Sequence, residues 1–275
     1  EGAVKRGSLD GEVIPRLGDA LGSVGTVLFT PDDVRLVSDG PAERRRFLDM
    51  VLSVNVPGYL GALQRYRQVL NQRNAALRER TGRGAVSAWD PLLVESGARV
   101  MALRNRWVTE GGPRFSGVVE EISGGEGGWM HYLPALAGSG VEPGALPAGE
   151  DGWAEAFARA LAASAEQEWR RGTTVVGPHR DEVRLVGGLS GDAEPVDTPR
   201  DLRDYGSGGQ RRTAALALRI LEAETVLGRT GRPALLLLDD VFAELDEPRS
   251  ERVLGLLERT AAGQVILTAP KDPEI

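Results

Sequence analysis

Residues 234–240, ALLLLDD, decide the fold class of this chain. The run of leucines predicts a buried strand, and a strand that is apolar on both faces is typical of the core of a parallel sheet. Two adjacent carboxylates, Asp239 and Asp240, end the strand. Ligands bind such sheets at the carboxyl ends of their strands, and Mg²⁺ with bound phosphate takes one or two carboxylates. The sequence therefore predicts a metal and phosphate site here, with a simple turn cap as the structural alternative.

A glycine-rich helix start lies upstream of this strand. Ser207-Gly208-Gly209-Gln210 opens a helix that is predicted to run to Leu227. Serine can cap the helix, the free N–H groups of its first turn favour a phosphate, and glycines let a ligand approach the backbone closely. An ordinary glycine-rich cap is the alternative. With residues 244–246 (ELD) after the carboxylates, the order indicates part of a nucleotide-hydrolysing site, although no Gly-Lys-Ser/Thr loop occurs in these residues.

The bulk composition excludes several classes of protein. The chain has 275 residues and no cysteine, so disulfides and thiolate metal sites are excluded. With only two histidines, His131 and His179, a histidine-based metal site is disfavoured. Neither a membrane-spanning apolar run nor a secretory signal is recognisable, and we therefore expect a cytoplasmic protein.

Charge is distributed unevenly along the chain. The net charge is −7, yet residues 41–86 carry nine arginines against three acidic residues. This segment begins with Pro41, a favourable first residue for a helix, and continues with apolar residues at helical spacing on both sides of Pro57-Gly58. A positively charged, mainly helical segment is therefore predicted within an acidic protein.

The remaining elements follow from periodicity and from turn residues. A helix from Pro91 is predicted to end at residues 111–113 (GGP), and residues 122–152 are predicted to be loops with short strands. The last third alternates strand and helix, which indicates parallel strands with helical crossovers. Strands are predicted at 2–13 (two short ones), 24–29, 173–177, 182–186, 234–238 and 264–268, and further helices at 153–170 and 248–260.

The SGGQ helix start, the LLLLDD strand and the ELD turn, in this order, resemble the head of ABC-type ATPases. Within that superfamily the chain resembles the RecF family of bacterial recombination mediators, and the resemblance covers nearly the whole chain. The further matching segments are 28–33 (LFTPDD), 41–49 (PAERRRFLD), 72–77 (QRNAAL) and 177–181 (GPHRD). The resemblance implies an α/β fold with an ABC-ATPase-like head, a mixed or parallel sheet with helical crossovers, and a mostly helical inserted lobe. Residues 1–40 and 171–275 would form the head, incomplete at its N-terminus, and residues 41–170 the inserted lobe.

The resemblance also implies roles for individual residues. Two heads of this family sandwich two ATP molecules. The signature of one head, which residues 207–210 (SGGQ) match here, faces the ATP bound by the other head. The nucleotide-gripping loop of such proteins precedes the segment matched by Gly2, so we expect sequence upstream of Glu1. The implied ATP-site residues are Ser207, Gly208, Gly209 and Gln210 in trans, Asp239 for Mg²⁺, Asp240 as the hydrolytic carboxylate, Asp246 at the dimer interface, and Thr268 at the phosphate in place of a switch histidine.

Hydrolysis is expected to be slow. Many ABC ATPases carry a glutamate where this chain has Asp240, and the shorter side chain would place the attacking water less favourably.

The arginine-rich helices suit the phosphate backbone of DNA. A solvated helix face is the alternative, and Arg45 and Arg46 could instead anchor the insertion to the head. The roles of His179 and Arg180 in the GPHRD turn are left open. The predicted DNA-binding residues are Arg44, Arg65, Arg67, Arg73, Arg78 and Arg80.

The first functional hypothesis is an ATP-dependent recombination mediator that closes as a head-to-head homodimer on DNA at gaps or stalled replication sites. The expected partners are double-stranded DNA, junctions of single- and double-stranded DNA, and mediators of the RecR and RecO type, at a cytoplasmic, nucleoid-associated location. Two alternatives are the nucleotide-binding subunit of a transporter, which the basic helical insertion disfavours, and a non-catalytic DNA- or protein-binding module.

Overall fold

The computed structural model describes residues 7–9, 11–14, 25–141, 145–189, 200–259 and 263–268. Its strands form three small sheets. The strands are β1 (Gly7–Leu9), β2 (Glu12–Ile14), β3 (Thr26–Phe29), β4 (Gly127–Leu133), β5 (Glu182–Leu189), β6 (Arg200–Asp201), β7 (Leu235–Asp239) and β8 (Gln264–Thr268). β1 and β2 form an antiparallel hairpin, which confirms the predicted pair of short strands in its described part.

The helices account for most of the remaining described residues. They are α1 (Arg35–Ser38), α2 (Pro41–Asn55), α3 (Tyr59–Glu79), α4 (Arg83–Ser87), α5 (Asp90–Ser123), α6 (Gly149–Arg171), α7 (Leu202–Tyr205), α8 (Gly208–Thr230) and α9 (Glu247–Arg259). The predicted helix start at Pro41 and the break between α2 and α3 at Pro57-Gly58 are confirmed.

The sheet that carries the carboxylate pair is parallel, with strand order β3-β7-β8. A second sheet, β4-β5-β6, is antiparallel. The predicted α/β class with a mixed or parallel sheet and helical crossovers is therefore confirmed. The helix α9 makes the crossover between β7 and β8, as expected for parallel neighbours.

Only one face of the parallel sheet is fully covered in the described part of the chain. Leu236 and Leu238 are buried in the main core, whereas Leu28 and Ile266 on the opposite face are 47% and 46% exposed. Leu235 and Leu237, which share the face of Leu28 and Ile266, are half-buried, so in the described part of the chain the leucine run is buried on one face and partly covered on the other. Alternation along the strand explains the difference, because neighbouring leucines point to opposite faces.

Helix α5 corrects the prediction that residues 111–113 end a helix. It runs through them as far as Ser123, with Pro113 inside. A Cβ atom added to Gly111 would lie 2.9 Å from a methyl carbon of Leu221 on α8, so this glycine serves close helix packing and not termination. Contacts with α3, α6, α8 and β4 stabilise the helix over the local stop signal.

The strand predicted at Thr173–Gly177 is also wrong. The segment is irregular, because side chains take its backbone donors. The N–H of Thr174 donates to Asn74 Oδ1 at 2.8 Å, and the N–H of Val175 donates to Glu168 Oε1 at 2.9 Å. Sheet pairing is thereby replaced by contacts with α3 and α6. The strand predicted at 182–186 is confirmed as part of β5.

The main hydrophobic core contains side chains from both predicted lobes, among them Phe47, Phe157 and Leu216. The division into a head and an inserted lobe at residues 40 and 170 remains a prediction. Among the described residues, no helix is both long and apolar enough to span a membrane.

Candidate functional site

The two carboxylates lie at the carboxyl edge of the parallel sheet. Asp239 is the last residue of β7 and pairs in register with Thr268, the last residue of β8. The Thr268 hydroxyl donates to Asp239 Oδ1, and the N–H of Asp240 donates to the Thr268 carbonyl oxygen at 3.2 Å. The side chains of Asp239 and Thr268 are exposed. Adjacent strand ends thus fix the two aspartates at an accessible edge.

Asp240 turns the chain out of the sheet. Its φ of 49° lies in the left-handed region, which aspartate tolerates better than most residues. Its backbone is held from two sides, by Thr268 on β8 and by Arg212 on α8. Its side chain is partly exposed. The conformation places a carboxylate just beyond the strand end, where a water or phosphate can reach it.

Arg212 contacts the candidate site and was not predicted from the sequence. It lies on α8, is only 3% exposed, and donates from Nε to the Val241 carbonyl at 3.0 Å and from Nη2 to the Asp240 carbonyl. Its guanidinium carbon lies 5.4 Å from the centre of the Phe29 ring at the end of β3. Burial lowers the pKa of Arg212, and the carboxylates of Asp240 and Glu244 partly offset that.

The helical spacing of Arg212 from Leu216 is a sequence signal that could have predicted its burial. It lies four residues before Leu216 and therefore on the same side of α8, where a cation on an apolar face indicates a buried partner.

The helix α8 begins with a capping box formed by the predicted signature. The N–H of Gln210 donates to Ser207 Oγ at 3.2 Å, and the N–H of Ser207 donates to Gln210 Oε1 at 2.9 Å. The N–H groups of Gly208 and Gly209 belong to the first helical turn, where no preceding helical carbonyl can accept them. Ser207 and Gly208 are exposed. Accessible N–H groups at a helix N-terminus favour an anion.

The Gln210 side chain is occupied at both ends. Besides accepting from Ser207, its Nε2 donates to Glu126 Oε2 at 2.9 Å. Glu126 directly precedes β4 and also lies 3.6 Å from Arg249 on α9. Because Glu126 is distant in sequence and lies in a segment predicted as loop, no pattern pointed to this contact.

The ELD turn packs directly against the signature. A Cβ atom on Gly208 would lie 3.1 Å from Glu244 Oε2, and one on Gly209 would lie 2.6 Å from a guanidinium nitrogen of Arg249. Asp246 caps α9, since its Oδ1 accepts from the N–H of Arg249 at 2.9 Å. The close approach explains why glycines begin α8. It also brings the signature and the ELD turn together within one chain.

The predicted Mg²⁺ ligand fits its role chemically. Asp239 presents an exposed carboxylate, and Mg²⁺ commonly uses one or two protein carboxylates with phosphate oxygens and water. Among the described residues, no group of three or more potential metal-ligating side chains is found. A metal held mainly by nucleotide phosphates needs no such group.

Two of the predicted DNA-binding arginines lie in the interior. Arg44 is 5% exposed and binds the Glu182 carboxylate at 2.8 and 2.9 Å together with carbonyl groups of residues 36, 37 and 39. Arg73 is 3% exposed, and its guanidinium contacts Glu168 at 2.7 Å and Asp90 at 2.8 Å. Internal partners already hold both charges, so these two arginines are not available to bind DNA.

The other four predicted arginines, Arg65, Arg67, Arg78 and Arg80, are exposed on α3 or at its end. Arg45 donates to the Asp181 carbonyl at 2.6 Å, as the anchoring alternative predicts.

A buried polar network surrounds the GPHRD turn. Asp181 is 1% exposed and accepts from the N–H of Ala135 at 2.8 Å and from the Tyr132 hydroxyl. Arg104 lies 3.4 Å from Asp181 and 2.7 Å from Asp49, and donates to the Pro178 carbonyl at 2.7 Å. Burial raises the pKa of Asp181, and Arg104 opposes that shift. The turn is thus fixed to α2 and α5.

Comparison with known proteins gives one consistent result. No family model matches the chain. It is 40% identical over 265 residues to the DNA replication and repair protein RecF of Anaeromyxobacter sp. (strain K), covering 95% of this chain and 67% of that protein. The RecF of Herpetosiphon aurantiacus is 35% identical, with 94% of this chain and 63% of the relative covered. The chain thus spans about two thirds of the length of these curated relatives.

Solved structures agree with the sequence comparison. A structure of the recombination mediator protein RecF-ATP in the RecFOR pathway matches with a TM-score of 0.78 and 31% identity, covering 98% of this chain and 69% of that one. A RecF-ATPrS structure matches with a TM-score of 0.77 and 31% identity, covering 96% of this chain and 67% of that one. The resemblance inferred from the ordered motifs is confirmed.

Proposed function

The chain belongs to the RecF family of DNA replication and repair proteins, and we propose that it is an ATP-dependent, DNA-binding recombination mediator acting at gaps or stalled replication sites. The observation that carries the proposal is the contact of Arg212 on the signature helix with the backbone of Asp240 at the sheet edge. The contact supports the proposal because it joins the proposed phosphate-binding helix to the proposed hydrolytic carboxylate through one buried side chain.

In this proposal, Ser207, Gly208 and Gly209 face the ATP held by a second copy of the protein. The exposed position of Ser207 and Gly208 and the first-turn N–H groups of α8, which have no preceding helical carbonyl, suit a terminal phosphate. Gln210 has the different role of orienting the helix start, since Ser207 and Glu126 occupy its amide. Asp246, in the ELD turn beside the start of α8, fixes the end of that turn by capping α9.

Asp239 would hold Mg²⁺, which when bound would offset negative charge on the ATP phosphates. Asp240 would orient the attacking water and accept its proton. Thr268 is assigned a positioning role, because its hydroxyl donates to Asp239 Oδ1 and limits the rotation of that carboxylate. With the short aspartate side chain as base, we propose slow turnover, below about ten per second in the absence of DNA.

The exposed arginines of α3 are proposed to contact the DNA backbone. Arg65, Arg67, Arg78 and Arg80 carry positive charge at the surface, which supports binding to phosphates without regard to base sequence. We propose double-stranded DNA, junctions with single-stranded DNA, and mediators of the RecR and RecO type as partners. A cytoplasmic, nucleoid-associated location belongs to the same proposal.

Nucleotide-dependent dimerisation tests this function. We expect the mass of the purified protein in sedimentation to double with ATP and Mg²⁺, and duplex DNA to favour the dimer. A protein that binds DNA but neither binds nor hydrolyses ATP would favour the non-catalytic binding module.

A further inference from the structure

A basic cavity lies beside the GPHRD turn, between α2 and α3. Its volume is about 200 Å³, and Arg45, Arg46, Arg67, Arg104 and His179 contribute to its lining. A water molecule occupies about 30 Å³ in the liquid, so the cavity has room for a tetrahedral group of five heavy atoms. The cavity joins two of the matching segments, 41–49 and 177–181, whose roles the nucleotide site does not explain.

The positive charges of the cavity exceed its negative charge. Asp49 is the one carboxylate in the lining, and it already accepts from Arg104 at 2.7 Å and from Arg67 at 2.8 Å. Among the described residues, Arg45 donates only to the neutral carbonyl of Asp181, at 2.6 Å. For the exposed Arg46, the structure shows neither a hydrogen bond nor an ion pair with another described residue. The guanidinium groups of Arg45 and Arg46 therefore form no direct ion pair with a carboxylate of the described residues.

The pKa of Arg45 is consistent with this excess of positive charge in the cavity. Burial and then the charge of Arg104 lower the pKa of Arg45, with Asp181, Glu182 and Asp49 only partly opposing the shift. A half-buried cation beside another cation is stabilised by an anion that brings both charge and hydrogen-bond acceptors.

His179 gives the cavity a fixed polar wall. Its Nε2 lies 3.1 Å from the Thr174 carbonyl and must donate, because a carbonyl only accepts. Its Nδ1 therefore accepts from the Tyr66 hydroxyl at 2.6 Å. Burial lowers the pKa of His179 to about 4, so the ring is neutral at neutral pH and adds no charge. The surplus charge comes from the arginines alone.

We propose that this cavity, lined by Arg45, Arg46 and Arg67, is a binding site for a phosphate group, supplied by the backbone of bound DNA. Arginine suits this ligand because its planar fork donates two parallel hydrogen bonds to phosphate oxygens. The choice of DNA as the source rests on the proposed function. Phosphate recognition by the cavity does not, since free phosphate offers the same oxygens.

The two histidines allow a specific test by NMR. In protein labelled with ¹⁵N-histidine, inorganic phosphate should shift the imidazole signals of His179 in a saturable way. The signals of His131, which is exposed on β4, should not move. A duplex of about 20 base pairs should shift the same His179 signals, and its affinity is followed by fluorescence anisotropy over a salt series.

Arg46→Gln is the informative variant, because no internal partner is lost. We expect it to weaken both phosphate and duplex binding roughly fivefold and to lower the salt slope for duplex binding by about 1. Arg232→Gln, an exposed arginine in the turn before β7, is the matched control and should leave both unchanged.

The remaining outcomes separate the two ideas. If the duplex binds without shifting the His179 signals, and Arg46→Gln binds it with wild-type affinity, the cavity site is wrong. The proposed DNA binding by the protein would not be contradicted. Saturable phosphate binding at His179 without duplex binding would support the phosphate site with free phosphate as its source, and would contradict the proposed DNA function. If neither probe binds, both proposals are wrong.

Discussion

Arg212 on the signature helix donates to the backbone carbonyl of Asp240, the residue that follows β7. The same guanidinium binds the Val241 carbonyl at 3.0 Å and lies over the Phe29 ring. The helix start and the carboxylate edge are therefore joined by one buried side chain. A displacement of α8 would be transmitted to the backbone of Asp240 without an intermediate residue.

Arg212→Gln tests this connection. We expect a loss of stability of about 2 kcal/mol, because the buried carbonyl of Val241 and the partly buried carbonyl of Asp240 lose charge-assisted donors. ATP hydrolysis should fall at least tenfold, with a smaller change in KM, since Asp240 is displaced and the signature surface is not. Urea denaturation and steady-state kinetics measure these effects.

The neighbouring Arg211 provides the control. It is partly exposed and donates to the carbonyls of Leu202 and Arg203, away from the sheet edge. Arg211→Gln should change hydrolysis less than twofold. Equal losses of kcat in both variants would contradict a specific role for Arg212.

Arg73 and Arg78 lie on the same helix, but their substitution by alanine should have different effects on stability and on duplex binding. Arg73→Ala leaves Glu168, which is 0% exposed, without its cation, and we expect a destabilisation of about 3–5 kcal/mol. Arg78→Ala removes only exposed charge, so stability should stay within about 0.5 kcal/mol while duplex affinity falls. Denaturation and anisotropy together distinguish the two roles, and an unchanged affinity of Arg78→Ala would remove it from the DNA surface.

The difference between these arginines shows what the sequence could and could not predict. The basic helices themselves followed from helical periodicity. Whether an arginine on them meets solvent or Glu168 depends on how α3 packs against α6, which is a long-range contact. In the same way, β7 and its two aspartates were predictable from local pattern, whereas the contact of Gln210 with Glu126 was not.

The errors in secondary structure have the same origin. Gly111 and Pro113 are local stop signals, but α5 continues because several elements pack along it. Thr174 and Val175 have the β-propensity of a strand, but Asn74 and Glu168 bind their N–H groups. In both places tertiary contacts outweighed local preference.

Stability should depend on pH through His179. Burial lowers its pKa from 6.5 to about 4 in the folded protein, so between these values the unfolded chain binds more protons. The contribution of His179 is fully present above pH 6.5 and is lost as the pH falls towards 4. The loss should be on the order of 3 kcal/mol.

His179→Gln should flatten this dependence, since glutamine does not titrate and can still donate to Thr174 and accept from Tyr66. His131→Gln, at the exposed histidine, should leave the dependence intact. Chemical denaturation at several pH values gives the comparison. A steep pH dependence that persists in His179→Gln would assign it to another group.

Thr268→Val should raise the Mg²⁺ concentration needed for half-maximal ATP hydrolysis by about threefold or more, because Asp239 loses the hydrogen bond that orients it. Thr268→Ser keeps a hydroxyl and should restore the wild-type requirement. Since the side chain is exposed, stability should change little. An unchanged Mg²⁺ requirement in Thr268→Val would separate Thr268 from the metal site.

The most direct test of the composite ATP site is sedimentation velocity of Asp240→Asn with ATP and Mg²⁺, compared with Asp240→Asn/Ser207→Arg. The account predicts a stable dimer for the first variant, because hydrolysis is blocked while the signature surface is intact. It predicts a monomer for the second, because a large cation covers the helix start. A monomer in both variants, or an ATP-dependent dimer that Ser207→Arg leaves unchanged, would contradict the account.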